Sequence, residues 1–343
     1  TTRLALQVCQ MIISQGSAMS INLCKASLLA GALGDSMGAD IEFSGLRLIR
    51  RQYPNGVNSL ATTYAPPNFF TDDTQMALFT AEGLIMANKA NGLDSQVTFN
   101  KIMHSALLRW YCTQRGSPKI KTDTSEGLVL DSSLWFSASP GMTCMSSLRE
   151  ANVLGQPARN NSKGCGTIMR VAPLAFGLPR ENLQKYAISS SALTHGHPLG
   201  QLAAAAWAEI IADVVADNHP EETAKAISKQ YQDISEDGSI ISQAIDLALN
   251  APRDAAPETV ETLGKGWNAV EALSIALYAC ISTKSLDGGL QCALIHSGDS
   301  DSTAAIAGNL LGVMYPDEIF CHPLIKGLEG RNIIEDIVFK LAH

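Results

Sequence analysis

Three short segments concentrate hard oxygen donors where a helix begins or a loop turns. They are Gly34-Asp35-Ser36-Met37-Gly38-Ala39-Asp40-Ile41-Glu42, Phe70-Thr71-Asp72-Asp73-Thr74 and Ser297-Gly298-Asp299-Ser300-Asp301-Ser302-Thr303. Any one of them alone is better explained as a helix cap, because an Asp at a helix start satisfies free backbone amides and complements the helix dipole. The neighbours change that reading: no Lys or Arg lies between Lys25 and Arg47, between Arg51 and Lys89, or between Lys284 and Lys326. If the segments converge, like charges about 4 Å apart repel by roughly 4 kcal/mol at an effective dielectric near 20, so the cluster must take up protons or cations. Two divalent cations nearly balance the carboxylates of Glu42, Asp72, Asp73, Asp299 and Asp301. Carboxylates and hydroxyls suit magnesium, manganese or calcium rather than zinc, with magnesium the natural choice. The chemistry expected is metal-assisted hydrolysis.

A second polar segment, Ser162-Lys163-Gly164-Cys165-Gly166-Thr167-Ile168-Met169-Arg170, leads into an apolar run. Its backbone amides can cradle phosphate or ribose oxygens, with Lys163 or Arg170 as counter-charge; equally, its glycines can serve a close helix contact. It matches neither the phosphate loop of nucleoside triphosphatases nor the dinucleotide fingerprint. His195-Gly196-His197, followed by Pro198 and without a nearby cysteine, falls short of a zinc pattern, and at least one of the two is read as polar or substrate-facing.

The elements that must hold these groups are helical. Apolar periodicity predicts helices near 20–33, 73–90, 95–113, 142–154, 180–193, 198–217, 221–234, 239–250, 267–283, 288–296, 303–314 and 330–341, with few strand signals. Asp72 or Asp73 caps one start and Pro220-Glu221-Glu222 opens another, while Gly34, Gly92, Gly155 and Gly177 are expected at helix ends. Tyr53 to Phe70 and Gly116 to Gly141 read as irregular. In residues 1–18, Leu4, Val8, Met11 and Ile12 share one helical face, so this extension can dock on its own domain or on a partner.

The 343 residues are 46% hydrophobic and contain no long linker, which fits one large core at 19–343. A formal charge of −8 argues against holding nucleic acid or an anionic membrane by bulk electrostatics. Eight cysteines without a CxxC pair suggest free thiols and a cytoplasmic location. The nearest approach to a membrane span, Leu199 to Val215, includes Glu209 and Asp213, and Gln7 and Gln10 interrupt the apolar run that would make a leader.

In this order and spacing, Gly34-Asp35 to Glu42, Thr71-Asp72-Asp73-Thr74, the Gly164 to Arg170 loop, Thr194-His195 and Ser297 to Gly308 resemble the ADP-ribosylglycohydrolases, also called the dinitrogenase-reductase-activating glycohydrolase family, from about Ser20 onward. The resemblance implies an all-α fold, a single compact orthogonal helical bundle. It implies two magnesium ions, with manganese as a substitute, on Thr71, Asp72, Asp73, Asp299, Asp301 and the hydroxyl of Ser302, with Glu42 lining the same site. The family often has Thr at that last position; here Ser302 is followed by Thr303, and either hydroxyl can serve. By the same resemblance, Gly164, Cys165, Gly166 and His195 contact ADP-ribose. The implied activity is hydrolysis of the bond between ribose C1″ of ADP-ribose and a modified protein side chain, arginine by preference, through an oxocarbenium-like transition state, with Glu42, Asp72, Asp73 or Asp301 as proton acceptor. The implied partners are an ADP-ribosylated protein and, through residues 1–18, a cognate ADP-ribosyltransferase toxin that the chain would block as an immunity protein. A different two-metal hydrolase, such as a phosphoesterase, is disfavoured because no metal-ligating histidines stand among the acids.

Overall fold

A computed structural model describes the backbone of residues 2–63 and 66–342, and the side chains of 19–63 and 66–342. The helices are α1 (Thr2–Gly38), α2 (Leu46–Gln52), α3 (Asp72–Lys89), α4 (Gln96–Thr113), α5 (Met142–Glu150), α6 (Leu174–Gly177), α7 (Arg180–Ala192) and α8 (Pro198–Val215). They continue as α9 (Pro220–Gln232), α10 (Glu236–Asn250), α11 (Pro257–Leu263), α12 (Ala269–Ser282), α13 (Leu286–Leu294), α14 (Ser300–Met314), α15 (Pro316–Cys321) and α16 (Arg331–Ala342). Among the described residues there is no strand, only an isolated antiparallel bridge between Gly164 and Asn268. The fold is all-α, as expected.

Small residues set the central crossing. Helix α1 packs along α14 more extensively than any other pair in the bundle. Their backbones nearly touch: a Cβ at Gly34 would collide with the Ala304 carbonyl, one at Gly38 with the Asp301 backbone, and one at Gly308 with the Ala30 carbonyl. Asn309 locks the crossing by donating from Nδ2 to the Ser27 carbonyl at 3.0 Å. Around this pair stand α12, α13 and α8 on the α14 side, and α3 and α16 on the α1 side.

Gly34 therefore does not end a helix, and α1 runs unbroken from Thr2 to Gly38. Whether residues 1–18 dock on anything lies outside the described side chains. Four short helices, α2, α6, α11 and α15, were not expected, since four to seven residues carry too little periodicity to register. Of the segments expected to be irregular, Tyr53 to Phe70 holds no helix among its described residues, and Gly116 to Gly141 holds only two 3-10 turns, Leu128–Leu130 and Ser132–Leu134.

Helix α8 is, by length and composition, the one helix among the described residues that could cross a membrane, and it is mostly buried in the bundle. Its acids are paired: Arg180 donates to Glu209 Oε1 at 2.6 Å and to Asp213 Oδ1 at 2.7 Å, and Tyr231 donates to Glu209 Oε2 at 2.7 Å. In the same way, the buried Arg109 guanidinium on α4 donates from Nε to Glu82 on α3 at 2.6 Å. The acids of the candidate site lack such partners.

Candidate active site

The crossing of α1 and α14 brings the C-terminal end of the first beside the N-terminal end of the second, and α3 begins alongside. Asp35, fully buried on the last turns of α1, accepts from Thr71 N at 2.9 Å, Thr74 N at 3.0 Å and Thr74 Oγ1 at 2.6 Å. It thus caps α3 from a neighbouring helix. Thr71 is the N-cap of α3, with its hydroxyl 3.4 Å from both Asp73 N and Asp73 Oδ2. With the helix start satisfied from outside, the two acids in its first turn are released: Asp72 Oδ2 accepts from Gly141 N at 3.0 Å, while Asp73 Oδ1 is buried without a hydrogen-bond partner.

On α14, Asp299 occupies the N-cap position but makes no capping hydrogen bond. Its Oδ2 instead accepts from the Cys165 thiol at 3.0 Å. After α1 the chain turns back, with Glu42 N donating to the Gly38 carbonyl at 3.0 Å, and this sets Glu42 against the start of α14. Carboxylate oxygens of Glu42, Asp299 and Asp301 all lie within 4.8 Å of one another, and Glu42 Oε2 is a second buried oxygen without a partner. Capping, the simplest reading of these acids, therefore holds for Asp35 and fails for Asp299 and Asp73.

Among the described residues no Lys, Arg or His forms an ion pair with Asp35, Glu42, Asp72, Asp73, Asp299 or Asp301. Burial pushes Glu42 up to about 8, with Asp299, Asp72 and Asp35 adding repulsion. Burial likewise raises Asp72 to about 8, against the stabilising Gly141 amide. Asp73 and Asp301 stand well above the usual carboxylate range for the same reasons, burial first and neighbouring acids second. A buried set of oxygen-only donors with orphaned lone pairs is what a hard divalent cation requires, so the residues present fit magnesium or manganese.

The two candidate hydroxyls separate. Thr303 Oγ1 lies 2.7 Å from the Asp299 carbonyl, 2.8 Å from that of Ala293 and 2.9 Å from His296 Nε2, so it is fully engaged inside the helix start. Ser302 Oγ lies 3.7 Å from Cys165 Sγ, on the side of the acids.

The glycine loop forms a 3-10 helix, Cys165–Arg170, against this cluster. Gly164 and Cys165 are part-exposed, whereas Gly166 and His195 are buried. His195 sits beneath the loop: a Cβ on Gly166 would come 2.9 Å from its Cε1. Its Nδ1 lies 2.9 Å from Thr194 Oγ1, and burial, aided by Arg170, lowers its pKa to about 3, so the ring is neutral. His197 serves as the N-cap of α8, accepting from Leu199 N at 3.0 Å. Arg170 is not a counter-charge for phosphate; it turns inward and donates to Ser190 Oγ at 2.9 Å, Ser190 O at 2.8 Å and Gly166 O at 3.2 Å. Two loop amides are also already used, Gly164 N on Ser162 Oγ at 3.3 Å and Cys165 N on Trp267 O at 3.3 Å.

Sequence reasoning missed Asp35 as the outside cap, the Gly141 amide on Asp72, and an aromatic pair at the rim. Phe43 follows Glu42 with φ of 66°, a left-handed conformation that costs a side-chain-bearing residue about 1–2 kcal/mol. Its ring stacks on Trp267 with centroids 5.1 Å apart and planes at 19°. No spacing signal in the sequence joins positions 43 and 267.

A family model described as ADP-ribosylglycohydrolase matches residues 19–343. The chain is 25% identical over 320 residues to an uncharacterized protein of Archaeoglobus fulgidus, covering 92% of this chain and 94% of that protein. It is 25% identical over 332 residues to the ADP-ribosylarginine hydrolase Tri1 of Serratia proteamaculans, covering 94% of this chain and 80% of that protein. A solved structure described as an ADP-ribosylglycohydrolase-related protein complex shares the fold, with a TM-score of 0.68 at 20% identity over 95% of this chain and 98% of that one.

Proposed function

The chain belongs to the ADP-ribosylglycohydrolase family, and from that premise we propose that it is a metal-dependent hydrolase that removes ADP-ribose from modified protein side chains, arginine above all. The observation that carries the reading is the convergence of Glu42, Asp299 and Asp301 within 4.8 Å, with Asp72 and Asp73 close enough to repel them, two unpartnered buried oxygens on Glu42 and Asp73, and no cationic side chain paired to any of them. The arginine linkage is supported by the name of the Serratia relative.

Thr71, Asp72, Asp73, Asp299, Asp301 and Ser302 would hold two magnesium ions, or manganese, with Glu42 beside them; bound there, such ions polarise oxygens and acidify water. Glu42 presents a buried, unpartnered Oε2 at the turn beside α14, and it takes the proton from the attacking water. Positive charge developing at C1″ in an oxocarbenium-like transition state falls beside concentrated carboxylates. Gly164 and Cys165 wall the site through the Cys165–Asp299 contact, and His195, neutral and buried, supports that wall from below.

The test is incubation of an arginine-ADP-ribosylated protein in magnesium and in EDTA, beside a panel of phosphate esters. Release of ADP-ribose in magnesium alone is expected; retained label in magnesium, or faster turnover of a phosphate ester, would sink the proposal. Toxin blockade through residues 1–18 is a separate proposal, and α1 offers it a continuous helix from Thr2. Deleting residues 1–18 is expected to weaken binding to a cognate transferase while leaving hydrolysis intact.

A further inference from the structure

The geometry points to the Phe43–Trp267 stack as the platform that receives the guanidinium of the acceptor arginine, and so sets the preference for a planar cationic leaving group. This rests on the reading above. Both rings are large, apolar and open to solvent, Phe43 being 69% and Trp267 39% exposed. Phe43 keeps that exposure although one of its faces is covered by Trp267, so its opposite face is free. An isolated exposed aromatic needs no explanation; two stacked at a carboxylate cluster, one of them on a left-handed backbone, do.

The pair is anchored to the reacting centre from both sides. Phe43 is the chain neighbour of Glu42. Trp267 sits on a segment whose Lys265 carbonyl accepts from Asp299 N at 2.8 Å and whose Trp267 carbonyl accepts from Cys165 N. With the anomeric carbon held at the carboxylates, the rim carrying these rings would face the group bonded to that carbon, and the adenine would lie a diphosphate and a second ribose away. A guanidinium stacks on an aromatic face through both its charge and its planarity, which an ester or hydroxyl leaving group does not. Glu261, which accepts from Ser297 N at 3.0 Å beside the Ser297–Leu46 contact, adds negative charge on the same rim. Lys163 and Lys265, also near, are exposed and can turn their ammonium groups to solvent.

Steady-state kinetics of wild type, Phe43→Ala and Trp267→Ala on an ADP-ribosyl-arginine peptide and on an ADP-ribosyl-serine peptide test this. The expected result is a KM about tenfold higher on the arginine linkage, kcat within about threefold, little change on the serine linkage, and recovery in Phe43→Tyr and Trp267→Phe. Equal KM increases on both linkages would overturn it and assign the stack to the ADP-ribose moiety. A fall in kcat alone would overturn it in favour of positioning Glu42. If wild type cleaves neither linkage, the functional reading fails and a titration with agmatine still decides the platform. Fluorescence quenching that disappears in Trp267→Phe supports it, and no difference between the two proteins sinks it.

Discussion

Two kinds of buried acid stand within a few ångströms of each other, and their hydrogen bonds tell them apart. Asp35 is saturated by three donors from α3, whereas Asp301 accepts from the amide of its own neighbour, Ser302 N, at 2.9 Å and faces Glu42, Asp73 and Asp299. Replacing Asp35 by Asn presents an amide where donors point in, at a cost of about 2–4 kcal/mol with or without metal. Asp301→Asn removes one member of a repelling set. Its thermal midpoint in EDTA is expected to equal or exceed that of wild type, while the midpoint rise on adding magnesium is lost. A large drop in EDTA would make Asp301 structural. The types and missing counter-charges of the clustered acids were legible in the chain. What separates Asp35 from Asp301, or Thr303 from Ser302, was not, because each distinction depends on which neighbouring helix supplies a donor. Arg170 is the clearest case, since its charge suggested an anion and its burial delivers it to carbonyls and hydroxyls.

At the scale of elements, the carboxylates are brought together by two helices whose backbones nearly touch at glycines where they cross. Gly34→Ala on α1 adds a methyl that meets the Ala304 carbonyl, and displacing α14 is expected to cost about 1–3 kcal/mol. The same displacement carries Asp299 and Asp301 away from Glu42, so magnesium affinity measured by calorimetry is expected to fall although no ligand has changed. Unaltered affinity in a destabilised protein would show that the crossing and the site are independent. The long amphipathic helices were readable because their periodicity spans several turns. Gly34 was misread as a terminator because a glycine at a close helix contact and one at a helix end look alike in a single chain. The spacing of four between Gly34 and Gly38, matched by Gly308 and Gly312, was the available clue.

Across the whole molecule, buried acids and buried histidines respond to pH in opposite directions. Glu42 and Asp72, raised to about 8, bind protons in the fold that the unfolded chain releases, so the metal-free protein loses stability as pH rises toward 8. His104, His195 and His296, lowered by burial to about 4, 3 and 4, stay neutral where the unfolded chain is charged, so their contribution is lost as pH falls below about 6.5. Above pH 6.5 the loss from the acids outweighs the fading contribution of these histidines, and the thermal midpoint in EDTA is expected to fall from there toward pH 8. Magnesium must displace those protons to bind, so the midpoint gain it confers is expected to grow over the same range. A gain that stays constant from pH 6 to 8.5 would contradict the assignment of these acids as ligands.

The segment from Lys265 to Ala269 holds two walls of the site at once: the Lys265 carbonyl receives Asp299 N, the Trp267 carbonyl receives Cys165 N, and Ala269 N reaches the Lys163 carbonyl at 2.9 Å. All three links use main-chain atoms. Gly266 has a φ of 83° that favours glycine, Asn268 Oδ1 caps α12 by accepting from Val270 N and Glu271 N at 3.1 Å, and Ala269 is buried, whereas the exposed side chains of Lys265 and Trp267 take no part in the bracing. Position 267 can therefore be substituted while the main-chain bracing beneath it stays in register, so variants there are expected to change what the rim receives without loosening the carboxylates.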